Sequence, residues 1–118
     1  MQLFTIEKFT SRVLEHLGVL ATGEYANASD VQVVRETLEQ VQEMLDWECL
    51  FTWYQSEGIP SDKLLPVRDI VANQIKFGYG INSIRSQELE LAEQKAVRVL
   101  RRQIEINDGN VPAEVEYL

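Results

Sequence analysis

The spacing of apolar residues between positions 31 and 45 constrains the fold more than any other feature of this sequence. Val31, Val34, Leu38, Val41 and Leu45 follow one another in alternating three- and four-residue steps. An α-helix repeats every 3.6 residues, so this spacing places all five side chains on one helix face that packs against another helix. The pattern therefore predicts a helical protein in which at least two helices pack together.

Cap residues predict where the first two helices begin and end. The first helix is expected from about Thr5 to Leu17, with Thr5 as its N-cap and Gly18 in the left-handed position that ends it. Ser29, followed three residues later by Gln32, predicts a capping box at the start of the second helix. The run Gly58-Ile59-Pro60 is expected to end that helix.

The second half of the chain predicts two more helices. Residues 61–65 are expected to form a loop or a short extended piece, and Pro66 suits the first turn of a third helix that runs to about Phe77. Gly78-Tyr79-Gly80 breaks this helix, and a fourth runs from about Ser86 to Ile104 or Ile106. The residues expected to face inward in these two helices are Val67, Ile70, Val71, Ile75, Leu89, Ala92, Ala96, Val99 and Leu100.

Together these elements predict an all-α protein with two parts. A four-helix bundle-like domain is expected over residues 1–107, and an extended C-terminal tail over residues 108–118. Asp108-Gly109-Asn110 stops the last helix, and the tail then mixes apolar and acidic residues. A tail of this composition is suited to binding a groove on a partner.

Composition removes several classes of protein. A chain of 118 residues has the size of one domain, and no stretch approaches the roughly 18–20 apolar residues of a membrane-spanning helix. The first residues have no basic or apolar signal region, so no secretory signal is expected. The single cysteine, Cys49, excludes an internal disulfide, and the single histidine, His16, leaves no Cys/His zinc site. No cofactor or metal is therefore expected.

The net charge of −8 bears on possible partners. Sequence-independent binding to nucleic acid depends on Lys and Arg neutralising phosphates, so a protein that clamps DNA is disfavoured. Passage of DNA through an acidic channel without specific binding stays open.

An aromatic cluster follows the seam of the second helix. Trp47, Leu50, Phe51, Trp53 and Tyr54, with Cys49 among them, leave hardly any polar face. Aromatic residues favour both protein cores and protein interfaces, so the cluster is either deep core or a contact between subunits. Cys49 is expected to behave as a small buried hydrophobe.

Two charged features have a structural and a functional interpretation each. Lys95, Arg98, Arg101 and Arg102 form a basic cluster in the fourth helix, which is either a solvated face or a contact to the channel, to an acidic neighbour or to DNA. His16 lies at the end of the first helix, where a cation offsets the helix dipole, so a structural role is expected for it.

Nothing in the sequence selects a catalytic site. Glu24, Asp30, Glu43 and Asp46 could be nominated as the carboxylate pair of a hydrolase, but no spacing distinguishes them from the rest of the 19 acids. The single histidine has no identifiable triad partner. We expect a protein that is not an enzyme.

The order of these pieces resembles one protein family, the head-to-tail adaptors of short-tailed bacteriophages, also called tail accessory or packaged-DNA stabilisation proteins. The resemblance lies in the connector Leu17-Gly18-Val19-Leu20-Ala21-Thr22-Gly23-Glu24, then Ala28-Ser29-Asp30 opening a helix that reaches Met44-Leu45-Asp46-Trp47. Phe77-Gly78-Tyr79-Gly80, before a helix with Ala92 and Ala96, is similar to the second half of the pattern. The chain departs from the family at Glu43 and in the apolar run 49–54.

The resemblance implies a structural virion protein of the head–tail junction, assembled in the host cytoplasm. Such adaptors form a ring of twelve identical subunits beneath the portal, extend the DNA channel and carry downstream tail components such as a nozzle or tail fibres. Their C-terminal segments lie against the portal. This gives a portal-binding role to five tail residues, namely Val111, Pro112, Val115, Tyr117 and Leu118.

Two other classes of function stay open beside the adaptor. The same fold suits a small helical interaction module of cellular origin with a different partner. A carboxylate-dependent hydrolase is the remaining alternative.

Overall fold

The fold was examined in a computed structural model that describes residues 2–47, 50 and 58–107, with the backbone alone for residues 105–107. The four helices are α1 (Ile6–Leu17), α2 (Ala28–Trp47), α3 (Leu64–Ile75) and α4 (Ser83–Asn107). Two short strands, β1 (Leu3–Phe4) and β2 (Ile59–Pro60), accompany them. The described part of the chain is therefore all-α in class, as predicted.

Helix α1 has the caps that the sequence predicts. The Thr5 side chain accepts a hydrogen bond from the Lys8 amide at 3.2 Å. Gly18 adopts the left-handed conformation with φ of 79°, and its N–H is bonded to carbonyls in the last turn of the helix. These bonds satisfy backbone groups that a helix terminus otherwise leaves without a partner.

The predicted capping box of α2 is wrong. The helix begins at Ala28, and the Asn27 side chain accepts hydrogen bonds from the Asp30 amide at 2.9 Å and from the Ser29 hydroxyl at 2.7 Å. Ser29 is thus already inside the first turn. Asn27 lies two residues before Ser29. Its side-chain oxygen caps the helix in the way that a serine hydroxyl does in a capping box.

The ends of α3 and α4 also differ from the prediction. Residues 61–63 form a 3₁₀ turn, α3 begins at Leu64, and Pro66 is its third residue, where the missing N–H costs no intrahelical bond. A second 3₁₀ turn over Lys76–Tyr79 and left-handed Gly80 separate α3 from α4, as the glycines predict. Helix α4 begins three residues earlier than predicted because Asn82 caps it, accepting from the Arg85 amide at 2.8 Å.

The two strands were not predicted. Leu3 pairs with Pro60 and Phe4 with Ile59 in antiparallel register, and the Ser61 amide donates to the Gln2 carbonyl at 2.8 Å. The pairing ties the start of the chain to the segment before α3. Two-residue strands are too short to give the alternating pattern by which a strand is recognised.

Helix α3 is the centre of the core, because it packs against each of the other three helices. Val67, Ile70 and Val71 have no exposed surface. Most residues predicted to face inward are buried, but Val99 of α4 is 44 % exposed. The prediction for Val99 is therefore wrong, and this residue belongs to the surface.

Buried lysines join α3 to α4 at both ends of their contact. Lys76, only 2 % exposed, donates from Nζ to Glu90 Oε2 at 2.8 Å and to the Ser86 carbonyl at 3.2 Å. At the opposite end, Lys63 Nζ donates to Gln103 Oε1 at 3.1 Å. The start of α3 thus faces the end of α4, so the two helices run antiparallel and hold the groove between them in place.

Candidate interaction surfaces

Trp47 is the exposed member of the aromatic cluster. Its side chain is 89 % exposed at the end of α2, whereas Leu50 is 2 % exposed and belongs to the core of the subunit. Phe51, Trp53 and Tyr54, with Cys49, lie outside the described residues. Of the two cluster members that the structure describes, only Trp47 offers surface to a partner.

The basic cluster lies on the surface of α4. Lys95, Arg98, Arg101 and Arg102 are all exposed. Lys95, Arg98 and Arg102 follow one another at three- and four-residue steps, which places them on one side of the helix. Val99 and Leu91, 44 % and 59 % exposed, lie on the same side. This exposed side of α4, which borders α3 at Lys95 and Val99, is therefore both apolar and basic.

An open groove runs between the start of α3 and the second half of α4, with a volume of about 330 Å³. We call it the α3–α4 groove. Its apolar wall contains Leu65, which is 56 % exposed, and Val99. Its other lining residues are Ser61, Asp62, Pro66, Asp69, Lys95 and Ala96. Apolar spacing alone does not indicate this groove, because Val99 fits the stripe predicted to face the core.

A second groove, the α2–α3 groove, lies between the first half of α2 and the end of α3, with a volume of about 480 Å³. It is lined by Asp30, Val33, Thr37, Gln74, Ile75, Gly78 and Tyr79. Phe77, beside it in the chain, is 78 % exposed. Nothing in the apolar spacing of the sequence indicates this groove, because it is formed by residues more than 35 positions apart.

The two grooves lie at opposite ends and on opposite sides of α3. Leu65 lines the first and Gln74 the second. These residues are nine positions apart, which is two and a half helical turns and reverses the direction of the side chain. In the described part of the subunit, these two grooves therefore open in different directions.

A hydrogen bond joins two residues that line the α2–α3 groove. The Tyr79 hydroxyl donates to Asp30 Oδ1 at 2.6 Å, which joins the 3₁₀ turn after α3 to the first turn of α2. Burial of the phenol, together with this bond and the charge of Asp30, raises the pKa of Tyr79 to about 12. The phenol therefore stays protonated and keeps donating at every physiological pH.

We expect Tyr79→Phe to lower the free energy of unfolding by about 1–2 kcal/mol, because it removes a hydrogen bond to a carboxylate and leaves the packing of the ring intact. Urea unfolding measures the loss. Tyr25→Phe is the matched control, since Tyr25 is 93 % exposed, and it should change stability by less than about 0.5 kcal/mol. Equal stability of the two variants would contradict a stabilising role for the Tyr79–Asp30 bond.

His16 contributes to the structure, but not as the cation that the sequence analysis expected. Burial lowers the pKa of His16 below 6.5, and the neighbouring Arg68 and Arg85 lower it further, while Asp69 opposes them. Asp69 Oδ1 lies 3.4 Å from His16 Nε2. The backbone carbonyl of His16, in the last turn of α1, accepts a hydrogen bond from Arg85 Nη2 at 2.8 Å. Arg85 thus supplies the positive charge at the end of α1.

The lowered pKa of His16 predicts a loss of stability on acidification. The unfolded chain binds the proton more readily than the folded chain, so stability is complete above pH 6.5 and falls as the pH drops from 6.5 through the folded pKa. Thermal melts between pH 7.5 and 5.5 should show a falling Tm, and His16→Gln should flatten the dependence. Because the chain has one histidine, a single imidazole resonance should titrate below 6.5 in NMR; a midpoint above 6.5 would contradict the assignment.

Within residues 2–47, 50 and 58–107, no group of three His, Cys, Asp or Glu residues is placed to hold a metal ion. In the same part of the chain, no helix is both long and apolar enough to cross a membrane. The five tail residues with a predicted portal-binding role lie outside the described residues.

The fold and its surfaces define a class, a small all-α protein that exposes large apolar residues at several places. Comparisons of the chain with protein-family models, with curated proteins and with solved structures find no match. The surfaces described above and the sequence resemblance are therefore the basis on which a function can be proposed.

Proposed function

We propose that this chain is a structural virion protein, a head-to-tail adaptor that assembles as a ring beneath the portal of a short-tailed bacteriophage. It extends the DNA channel and provides the platform for tail attachment. The proposal rests on the family resemblance of the sequence and on one observation in the structure. That observation is the pair of different, partly apolar grooves on opposite sides of α3.

Two different faces are what a closed ring requires. In a ring, each subunit binds its neighbours through two unlike surfaces, whereas a two-fold dimer uses one surface twice. The α3–α4 groove and the α2–α3 groove share no lining residue, and they open in different directions. They are suited to serve as the two sides of a heterologous contact between identical subunits.

Trp47 supports the same proposal. A tryptophan that is 89 % exposed leaves a large apolar surface in water, and tryptophan is enriched at protein interfaces. Burial of a side chain of this size on assembly stabilises a contact by roughly 2–3 kcal/mol. Trp47 would then contact a neighbouring subunit or the portal.

The charge of the chain suits a channel through which DNA passes. With a net charge of −8, a ring of such subunits repels the phosphate backbone as a whole. The basic residues Lys95, Arg98, Arg101 and Arg102 would contact an acidic partner rather than grip DNA. The C-terminal tail is the segment proposed to dock on the portal, through Val111, Pro112, Val115, Tyr117 and Leu118.

Substitutions in the two grooves test the ring. We expect Leu65→Glu and Val33→Glu, one in each groove, each to raise the concentration needed for half-occupancy of a portal ring by about tenfold or more, since about 1.4 kcal/mol of lateral contact corresponds to tenfold. Occupancy can be counted by quantitative cross-linking or cryo-electron microscopy. Unchanged occupancy for both variants would contradict the proposed ring contacts.

Ile84→Glu is the control for this experiment. Ile84 is 73 % exposed and lines neither groove, so its substitution introduces the same charge without touching the proposed contacts. It should leave portal occupancy unchanged. Helical circular dichroism of all three variants confirms that any loss of occupancy is not a loss of fold. Portal, terminase and capsid genes beside the coding sequence would separate the phage adaptor from a cellular interaction module.

A further inference from the structure

We propose that in the free subunit the α3–α4 groove is occupied by residues 108–118 of the same chain. The occupied groove cannot receive a neighbouring subunit, so ring assembly waits until a portal binds the tail. The claim that the tail occupies the groove does not depend on the adaptor function. The claim that this delays ring assembly rests on that proposed function.

The α3–α4 groove leaves apolar surface in contact with water. Leu65 and Val99 line it and are 56 % and 44 % exposed to solvent. Pro66 and Ala96 form its buried floor. A segment with regularly placed aliphatic side chains would remove this surface from water, which is the main driving force for docking.

The tail has the complementary composition. Residues 108–118 contain three acids, Asp108, Glu114 and Glu116, and no lysine or arginine, with the apolar residues Val111, Val115 and Leu118 between and beyond them. The rim of the groove on α4 is the most basic stretch of the chain. Four of the 11 basic residues fall within positions 95–102, where no acid occurs.

The two acids on the α3 side of the groove do not reverse this attraction. Asp69 Oδ1 lies 2.9 Å from Arg68 Nη2, and Asp62 Oδ2 lies 3.6 Å from Lys63 Nζ. Each carboxylate therefore has a cation of its own beside it. The charges that remain to attract a ligand are those of Lys95, Arg98 and Arg102, and they favour an acidic segment.

The tail is long enough to reach the groove of its own subunit. Helix α4 ends at Asn107, and Val99 lies eight residues before that end, about 12 Å along the helix. Eleven extended residues span up to about 36 Å. A segment tethered so close has an effective local concentration in the millimolar range, which favours its own groove over that of a second copy.

Covering the groove in the free subunit makes assembly dependent on the portal. A portal that binds Val111–Leu118 removes the tail from the groove and exposes Leu65 and Val99 to the next subunit. Free subunits therefore stay monomeric, whereas subunits on a portal expose the α3–α4 groove as a second contact surface. This is a population shift driven by the difference in affinity of the tail for the portal and for the groove.

Methyl NMR of the intact chain tests the position of the tail. The methyl resonances of Leu65, Ala96 and Val99 should shift in the double variant Val115→Ser/Leu118→Ser, whereas that of Val19, exposed in the connector after α1, should not. The shifts should be the same at about 20 and 500 μM protein. Unchanged groove resonances would overturn the proposal, and shifts that grow with concentration would assign the tail to a neighbouring copy, which also overturns it.

A charge exchange tests the recognition. Glu114→Lys/Glu116→Lys should move the same three methyl resonances toward their positions in the Val115→Ser/Leu118→Ser variant. Adding Arg98→Glu/Arg102→Glu should return them most of the way. No restoration would overturn the electrostatic part of the proposal. Because no portal is present, failure of these experiments is distinguishable from failure of the adaptor function.

Discussion

Deletion of Val111–Leu118 is expected to weaken docking on a portal ring by about tenfold or more while leaving the helical fold in place. Every buried apolar residue of the described core lies at or before Leu100 in the sequence. Loss of apolar contacts equivalent to one large side chain already removes about 1.5–3 kcal/mol of binding, which is at least tenfold in affinity. Co-sedimentation with portal rings measures the effect.

A full chain with the tail residues in scrambled order is the control for this deletion. It keeps the length and the charge of the tail but changes the positions of Val111, Val115 and Leu118. It should dock as weakly as the shortened chain, and both should keep the helical circular dichroism of the intact protein. Attachment to portal rings at unchanged affinity after the deletion would show that the tail is not the docking segment.

Gly58→Ala should lower the free energy of unfolding by about 2–4 kcal/mol, the largest loss we expect from a single methyl group. Gly58 has a φ of 108°, which side-chain-bearing residues rarely adopt, and an added Cβ would lie 2.8 Å from the backbone oxygen of Phe4. Strain at such a backbone conformation costs about 1–3 kcal/mol, and forcing a methyl group into packed backbone adds about as much again. The β1–β2 pairing would have to shift to relieve the contact.

Gly80→Ala separates the two causes. Gly80 also has a positive φ, 69°, but an added Cβ there meets nothing within 4 Å. Its substitution should cost only the conformational strain, about 1 kcal/mol. Chemical denaturation of both variants gives the comparison. A loss at Gly58 no larger than that at Gly80 would contradict the close packing of β2 against β1.

The number and order of the helices could be predicted from the sequence, whereas several of their starts could not. The predicted end of α2 was also wrong, since the helix ends at Trp47 and not at Gly58. Apolar periodicity identifies the buried face of each helix, because burial of that face is what stabilises it. Starts depend on single side-chain hydrogen bonds. Asn27 and Asn82 act as N-caps, whereas the predictions were a capping box at Ser29 and a helix start near Ser86. The short strands could not be predicted, because their pairing joins positions 3–4 to 59–60.

The candidate surfaces were predictable only in part. The basic cluster in the fourth helix could be read from the sequence, since exposed charges at helical spacing lie on the solvent side. The exposure of Trp47 could not, because an apolar run has the same appearance in a core and at an interface. The two grooves depend on how α3 meets α2 and α4, which a one-dimensional pattern does not contain. Val99 shows the limit, since its spacing suits the core stripe but its side chain is 44 % exposed and lines the α3–α4 groove.

Native mass spectrometry of the purified chain, alone and mixed with a portal ring, tests the adaptor function most directly. We predict a monomer for the chain alone and a complete ring on the portal, with one copy or a fixed multiple per portal subunit. No binding to the portal, at concentrations where the isolated chain is folded, would contradict the adaptor function and point to a different partner for these surfaces.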